Sequence, residues 1–440
     1  MNVFHAFSGV DSQLMAEKRV FKNVTLVGTM EVDIDAIISS GLIHHNERLQ
    51  EELKKELNKD RIEFMKLWLK QRNIGYDFDK GKSKIDRLNI DKLNKIFLSC
   101  LLTRNYGDIS LANKRKIDND IDLFTYSFCC QDVSVAGKQC GLQKDSGTRS
   151  SLLWECEKFI EINKPKFLLL ENVKNLVGKK FIKDFENWLS ILDKLGYNSY
   201  WKVLNAKDFG TPQNRERVFC LSIRKDIDKG FEFPNSLPLT KRLKDLLDDN
   251  VDSKYYLKDV GKFFINNSFA MEQKGNGFRF SPHVHSNANI AKCITTKADS
   301  RMDDNFIIDI NSNLENFEFS SKNEDLKSIR LFGLFDTNKS KHQAGSVWDK
   351  DELAPTLDTM QGGYRTPLII EDEEYKNFYI RKLTPRECWR LMDFDEDAFD
   401  KVKDHISDTQ LYKQSGNAIV CSCLEHIFIS LKNQYEEECK

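Results

Sequence analysis

Short apolar runs alternate with stretches of helical periodicity through the first half of the chain. The runs are Val3–Phe7, Thr25–Glu31, Ile121–Tyr126, Phe167–Glu171, Tyr200–Leu204 and Val218–Ile223, with Ser151–Ile162 and Phe181–Leu195 reading as amphipathic helices between them. This is the pattern of βαβ units, and it predicts an α/β fold with a doubly wound, mostly parallel sheet. Residues 46–104 interrupt it with a charged helical insertion, in which Asn46–Gln71 carries Leu49, Leu53, Leu57 and Phe64–Leu67 as apolar positions; a surface helix pair is expected there. After Arg224 the long helical patterns stop, and Gly and Asn clusters separate short strand-like fragments such as Phe278–Phe280, Ile290–Thr295 and Thr356–Met360. Order returns at Arg381, and Ile419–Asn433 reads as a closing helix. The expected domains are 1–225 plus 381–440, carrying the 46–104 insertion, and a second, smaller, mostly β domain over 226–380.

Composition then narrows the partners. Lys and Arg total 67 against 68 Asp and Glu, a formal charge of −1, so any nucleic-acid surface must be a local patch. Eleven cysteines, an odd number without paired spacing, point to a reducing compartment rather than a disulfide framework. No Cys-x-x-Cys pairs stand near histidines, which argues against a structural zinc site. No apolar stretch approaches the roughly 20 residues needed to span a bilayer, and Met1–Gly9 lacks a signal-peptide pattern. A cytoplasmic protein with no membrane partner is expected.

Candidate chemistry gathers at the ends of the expected strands, where ligands of open α/β sheets bind. Cys129 and Cys130 sit on the loop leaving Ile121–Tyr126, followed by Gln131, Ser134 and Gly137; thiols there are poorly explained as core filling. Phe7-Ser8-Gly9 follows the first strand, and the glycine lets the backbone approach a nucleotide-like cofactor. Glu31-Val32-Asp33 ends the second strand, and Gly107-Asp108-Ile109-Ser110 lies farther on. Glu171-Asn172 ends an apolar strand, an expensive place for a carboxylate unless it is paired or functional. Gln213-Asn214-Arg215-Glu216-Arg217 precedes the next strand, and arginines two apart on extended backbone share a face.

In this order the segments resemble those of the cytosine-C5 DNA methyltransferases, over roughly 1–41, 105–224 and 379–434. The thiol loop is similar to the family's Pro-Cys-Gln-x-x-Ser-x-x-Gly, with Cys129 at the proline position and Cys130 in register as the nucleophile. Leu152, in Arg149-Ser150-Ser151-Leu152, matches a residue lining the adenine pocket. Gln213-Asn214-Arg215-Glu216-Arg217 matches Gln-x-Arg-x-Arg, and Gln414-Ser415-Gly416-Asn417-Ala418-Ile419 the closing motif. Arg381–Met392 looks like the segment joining the recognition and catalytic domains, with Thr384 and Pro385 starting a helix. Ala354-Pro355-Thr356-Leu357 followed by Gly362-Gly363 looks like a recurring piece of target-recognition regions. The family's cofactor loop holds further glycines where this chain has Asp11 and Ser12.

The resemblance implies a Rossmann-like, S-adenosylmethionine-dependent enzyme with a target-recognition domain. It methylates C5 of a flipped-out cytosine in a short duplex DNA sequence through a covalent Cys130–C6 adduct. Glu171 would hold N3 and the exocyclic amine, Arg217 would reach O2, and Arg215 would engage phosphate. Phe7, Ser8, Gly9, Glu31, Val32, Asp108, Ile109, Leu152, Asn417 and Ala418 would bind S-adenosyl-L-methionine. Gln131, Ser134, Gly137, Asn172, Gln213 and Thr356 would serve the substrate side. No metal is required. The implied partner is double-stranded DNA acted on by a monomer, with room for a cognate restriction endonuclease as a functional partner. Two other readings stay open: an RNA cytosine-5 methyltransferase, which typically has a smaller variable region, and a catalytically silent DNA-binding relative. Against the second, Cys130, Glu171, Arg215, Arg217 and Asn417 are present together.

Overall fold

The computed structural model describes residues 1–78, 80–128, 152–256, 283–284, 289–296, 304–309, 330–333, 346–348, 368–369 and 379–439. Six strands form the central sheet: β1 (Asn2–Ala6), β2 (Thr25–Met30), β3 (Leu123–Tyr126), β4 (Phe167–Val173), β5 (Tyr197–Asn205) and β6 (Glu216–Arg224). Their order is β2-β1-β3-β4-β6-β5. The first four run parallel, and β6 is antiparallel to both β4 and β5. The doubly wound, mostly parallel sheet expected from the alternation is thus what the chain forms.

Alternate residues of the strands enter two separate cores, which is why the strands read as unbroken apolar runs. Val3, Leu123, Phe167, Leu169, Phe219 and Leu221 face one cluster. Phe4, Ala6, Phe124, Tyr126, Leu168, Leu170 and Val218 face the other. The first face is covered by helices α1 (Ser12–Val20), α2 (Ile34–Leu53), α3 (Lys59–Lys70), α4 (Ile90–Leu102) and the closing helix Cys421–Gln434. The second is covered by α5 (Leu153–Asn163) and α6 (Ile182–Lys194).

The insertion is built differently from the expected surface pair. The helical pattern of Asn46–Gln71 is split: α2 already begins at Ile34 and ends at Leu53, and Asn58 caps α3 by accepting the Arg61 amide at 2.8 Å. Leu49, Met65 and Leu69 are buried with Leu93, Ile96 and Phe97 of α4 in the first core. Helices α2 and α4 meet at Gly41, where a Cβ would land on the Ser99 side chain. Charged residues on the outer faces hid this buried stripe from a composition-based reading.

The described chain divides into two compact units, Met1–Leu243 with Ile290–Thr296 and Pro385–Lys440, and Lys244–Asn289 with Lys297–Thr384. Within the second, Phe306–Asp309 pairs parallel with His283–Val284 and antiparallel with Tyr379–Lys382. Ser346–Trp348 likewise pairs antiparallel with Arg330–Gly333 and parallel with Leu368–Ile369. Phe278–Phe280 and Thr356–Met360 lie outside the described residues. No helix among the described residues is long and apolar enough to cross a membrane.

The Gly41 contact gives a stability prediction. Gly41→Leu should overpack the α2–α4 interface and cost about 1–3 kcal/mol, seen as a lower urea midpoint with an unchanged slope.

Candidate active site

The strand register lines up the site. Ala6 pairs with Met30 and Tyr126, and Tyr126 pairs with Leu170, so Phe7, Glu31, Ser127 and Glu171 follow at one level along the carboxyl edge. Strand order reverses between β1 and β3, the switch point at which open α/β sheets bind ligands.

On the β1–β2 side the chain turns sharply. Phe7, Gly9 and Asp11 have φ of 56°, 57° and 65°, a left-handed conformation costing a non-glycine residue on the order of 1 kcal/mol. A Cβ on Gly9 would meet nothing within 4 Å, so the turn presents open backbone. Glu31 organises this corner: Oε1 accepts the amides of Val32 and Asp33, and Oε2 accepts that of Gly9, each at 2.8 Å. Burial, then the neighbouring Asp33, push its carboxyl above the ordinary value while the three amides oppose them. A carboxylate offers about four acceptor sites, so one remains for a ribose hydroxyl.

Asp108 caps the short helix Ile109–Ala112, accepting the Ser110 amide at 2.9 Å, and its other oxygen accepts Asn73 Nδ2 at 2.8 Å. Ile109 is buried; Leu152, just ahead of α5, is half-buried against the same core as Phe7. These residues fit an adenosine-bearing ligand. Asn105 was not legible beforehand. Its side chain accepts the amides of Glu31 (3.2 Å) and Gly107 (2.8 Å) and donates to the Glu31 carbonyl at 3.1 Å, tying the Glu31 and Asp108 segments together. Its only sequence signal is its place two residues before Gly107.

On the β3–β4 side, Glu171 is 6 % exposed. Its Oε2 accepts Ser127 Oγ at 2.6 Å, and Oε1 faces Arg217 Nε at 3.2 Å. Asn172 turns inward: Nδ2 donates to the Phe128 carbonyl at 3.0 Å, and Oδ1 accepts the Val173 amide at 2.9 Å. It therefore ties the ends of β3 and β4 together. Cys130, Gln131, Ser134 and Gly137, like Thr356, lie outside the described residues.

Arg215 and Gln213 are likewise bonded within the protein. Both are buried, at 3 % and 0 % exposure. Arg215 donates to the carbonyls of Ile294 (2.8 Å), Gly416 (2.9 Å) and Ala418 (2.9 Å). Gln213 donates to the Leu391 carbonyl at 2.6 Å and accepts the Ile294 amide at 3.0 Å. Both side chains lock three chain segments together. The expected shared face does hold, since Arg215 and Arg217 both reach Cys293 Sγ, at 3.5 and 3.8 Å. Asn417 ends the helix Asp408–Asn417 and is exposed, while Ala418 is buried. Among the described residues, no group of three or more His, Cys, Asp or Glu side chains is placed to hold a metal ion.

A doubly wound sheet with an open glycine turn, an amide-held glutamate at its switch point and a buried glutamate–arginine pair is the architecture of a Rossmann-like fold with a site at its carboxyl edge. The model of the C-5 cytosine-specific DNA methylases matches residues 76–433. The chain is 38 % identical to the type II methyltransferase M2.ScrFI of Lactococcus lactis subsp. cremoris, over 98 % of this chain and 99 % of that protein. It is 30 % identical to the orphan methyltransferase M.SPBetaI of Bacillus phage SPbeta, over 83 % and 94 %. The fold is similar to that of a Spodoptera frugiperda DNMT2 variant, with a TM-score of 0.56 at 14 % identity, covering 98 % and 99 % of the two chains. The chain belongs to the C-5 cytosine-specific DNA methylase family. It is a DNA (cytosine-5-)-methyltransferase, and membership implies S-adenosyl-L-methionine as methyl donor and DNA as substrate.

Cys293, absent from the sequence-based site, gives the local prediction. Burial alone would raise its thiol pKa, but Arg215 and then Arg217 outweigh it and hold it below the ordinary value. Burial pushes Cys220 and Cys423 up to about 12. Iodoacetamide at pH 7 should therefore label half-buried Cys293 ahead of these two, as read by peptide mass spectrometry; comparable labelling of all three would contradict the electrostatic account.

Proposed function

We propose that the enzyme methylates C5 of a cytosine flipped out of a short, specific duplex DNA sequence, with Cys130 as nucleophile. The observation that carries this is the Glu171–Arg217 pair, held level with the exit of β3 by Ser127. A stacked base hides C6, so the cytosine must leave the helix to reach such an edge-lined pocket.

The chemistry follows from what cytosine lacks. C5 is a poor nucleophile until electrons are pushed into the ring. Cys130, as thiolate, forms a bond to C6; Glu171 delivers a proton to N3, and Arg217 at O2 stabilises the charge drawn out of the ring. The adduct then has an enamine-like C5. S-adenosyl-L-methionine, when bound, supplies the electrophilic sulfonium methyl. A water molecule takes the C5 proton as the Cys130 thiolate is expelled from C6, and the N3 proton returns to Glu171, which regenerates the enzyme; no metal enters the balance. Glu31 would accept a ribose hydroxyl and Asp108 the adenine amine, with Phe7, Ser8, Gly9, Val32, Ile109 and Leu152 around them and Asn417 and Ala418 at the methionine end. Arg215, Gln213 and Asn172 act as positioning residues.

Residues 226–380 supply the reader of the DNA sequence in this proposal, with Thr356 in its recurring piece, and the enzyme works as a monomer in the cytoplasm. Incubation with tritiated S-adenosylmethionine and unmethylated duplex DNA tests the reading. Wild type and Cys129→Ser should place label at cytosine C5, Cys130→Ser should place none, and Glu171→Gln should lower kcat by roughly 10²–10⁴-fold. Activity lost in Cys129→Ser but kept in Cys130→Ser would move the nucleophile by one residue. Label on RNA alone, or none with cofactor bound, would overturn the assignment.

A further inference from the structure

Directly beneath the cofactor turn lies an ionic cluster that the chemistry above does not use. His5 stands on β1, on the face whose other members are apolar, and is fully buried. Its Nδ1 lies 2.6 Å from Asp11 Oδ1 and its Nε2 3.1 Å from Glu17 Oε1, and both carboxylates are fully buried too. The two acids differ: against the effect of burial, His5 holds the Asp11 carboxyl below its ordinary value, whereas burial pushes that of Glu17 up. Asp11 and Glu17 raise the His5 pKa to about 10 against the opposing effect of burial. From α2, His44 donates Nε2–H to the Asp11 carbonyl at 3.0 Å; burial keeps that ring neutral, with a pKa near 4.

Such a cluster is a poor way to stabilise a core. Asp11 Oδ2 and Glu17 Oε2 are buried without a hydrogen-bond partner, and desolvating ions offsets much of their mutual attraction. Its position suggests another use. Asp11 is the left-handed residue that closes the turn and precedes α1. The turn is fixed at its start by the Phe7 amide on the Met30 carbonyl (2.7 Å), in its middle by the Gly9 amide on Glu31, and at its end by Asp11 on His5. Where the family's loop has a glycine, free to enter or leave this conformation, this chain has an acid anchored by charge.

We propose that His5 is a positioning residue for S-adenosylmethionine: clamped by Asp11 and Glu17, it holds the turn Phe7–Asp11, and through Gly9 the carboxylate of Glu31, in the cofactor-receiving shape before the ligand arrives. The inference rests on the assignment of this turn to the cofactor. Preorganisation raises affinity by removing the ordering cost from the binding step, so releasing the clamp should weaken cofactor binding selectively.

Asp11→Gly removes the anchor yet accepts the left-handed conformation, so the fold can persist; Asp11→Asn keeps a neutral hydrogen-bonding group and serves as the conservative control. Calorimetry on the full chain should show S-adenosylmethionine Kd raised tenfold or more in Asp11→Gly and partly restored in Asp11→Asn, with duplex DNA affinity within twofold of wild type. KM for the cofactor should rise while kcat at saturation is kept, and the Gly9 and Val10 amides should exchange faster without ligand. An unchanged cofactor Kd in folded Asp11→Gly, or parallel losses of cofactor and DNA affinity, would overturn the proposal. Absence of cofactor binding by wild type would overturn the cofactor assignment itself, and the inference with it.

Discussion

A guanidinium withdrawn from water must find acceptors, and the Arg215 side chain finds them in three backbone carbonyls from two distant parts of the chain. Ile294 comes from a short excursion that pairs with Gln213–Asn214, and Gly416 and Ala418 come from the turn before the closing helix. Removing one partner of a buried polar contact typically costs about 1–3 kcal/mol, so these segments are held jointly. Gly416 shows how closely: a Cβ there would land on the Thr295–Thr296 peptide. Gln213 repeats the stitch by bonding Ile294 and Leu391. Arg217, two residues on, inherits its position from this anchor.

The two glutamates of the carboxyl edge are held by opposite means, which suits their different partners. Glu31 is surrounded by amides, whose fixed dipoles hold a carboxylate in place without a neutralising cation. It therefore keeps one acceptor site open. Glu171 has a guanidinium and a hydroxyl instead, side-chain groups free to reorient in a way fixed amides are not. Lys413 adds a remote contribution by pairing with Asp33 at 2.6 Å, the residue that caps α2 beside Glu31; burial alone would raise the Asp33 carboxyl, but Lys413 holds it below its ordinary value.

The sheet was legible because both of its faces are buried, which leaves uninterrupted apolar runs in the sequence. Strand ends followed almost as directly, and with them Glu31 and Glu171, since a carboxylate closing an apolar run has few other reasons to be there. Depth was not legible. Period-two alternation places Arg215 and Arg217 on one face, and both do reach Cys293, but it cannot tell that one is stitched into the interior while the other meets Glu171. The insertion was misjudged for a related reason. Its charged residues dominate composition, while burial depends on the narrow stripe of Leu49, Met65, Leu69 and Phe97. Asn105 and His5 went unnoticed because their roles come from partners far away in sequence or from a neighbour that looked like a mere departure from a glycine.

One reversed strand makes the Glu171–Arg217 pair geometrically feasible. In a wholly parallel sheet every strand begins at the edge opposite the one where ligands bind, so a residue opening a strand cannot meet a residue closing its neighbour. Here β6 runs against β4, and the register sets Arg217, near the start of β6, opposite Val173 at the end of β4. Glu171 lies two residues back along β4 on the same face, within reach of the long arginine side chain. The preceding hairpin partner, β5, stands in the same relation to β6: Asn205 at its end pairs with Glu216 and accepts the Arg215 amide at 3.1 Å. The antiparallel strand thus brings to the carboxyl edge a group that enters the sheet there, while β3 and β4 bring groups that leave it. That convergence places a buried carboxylate and a guanidinium from neighbouring strands side by side at this edge.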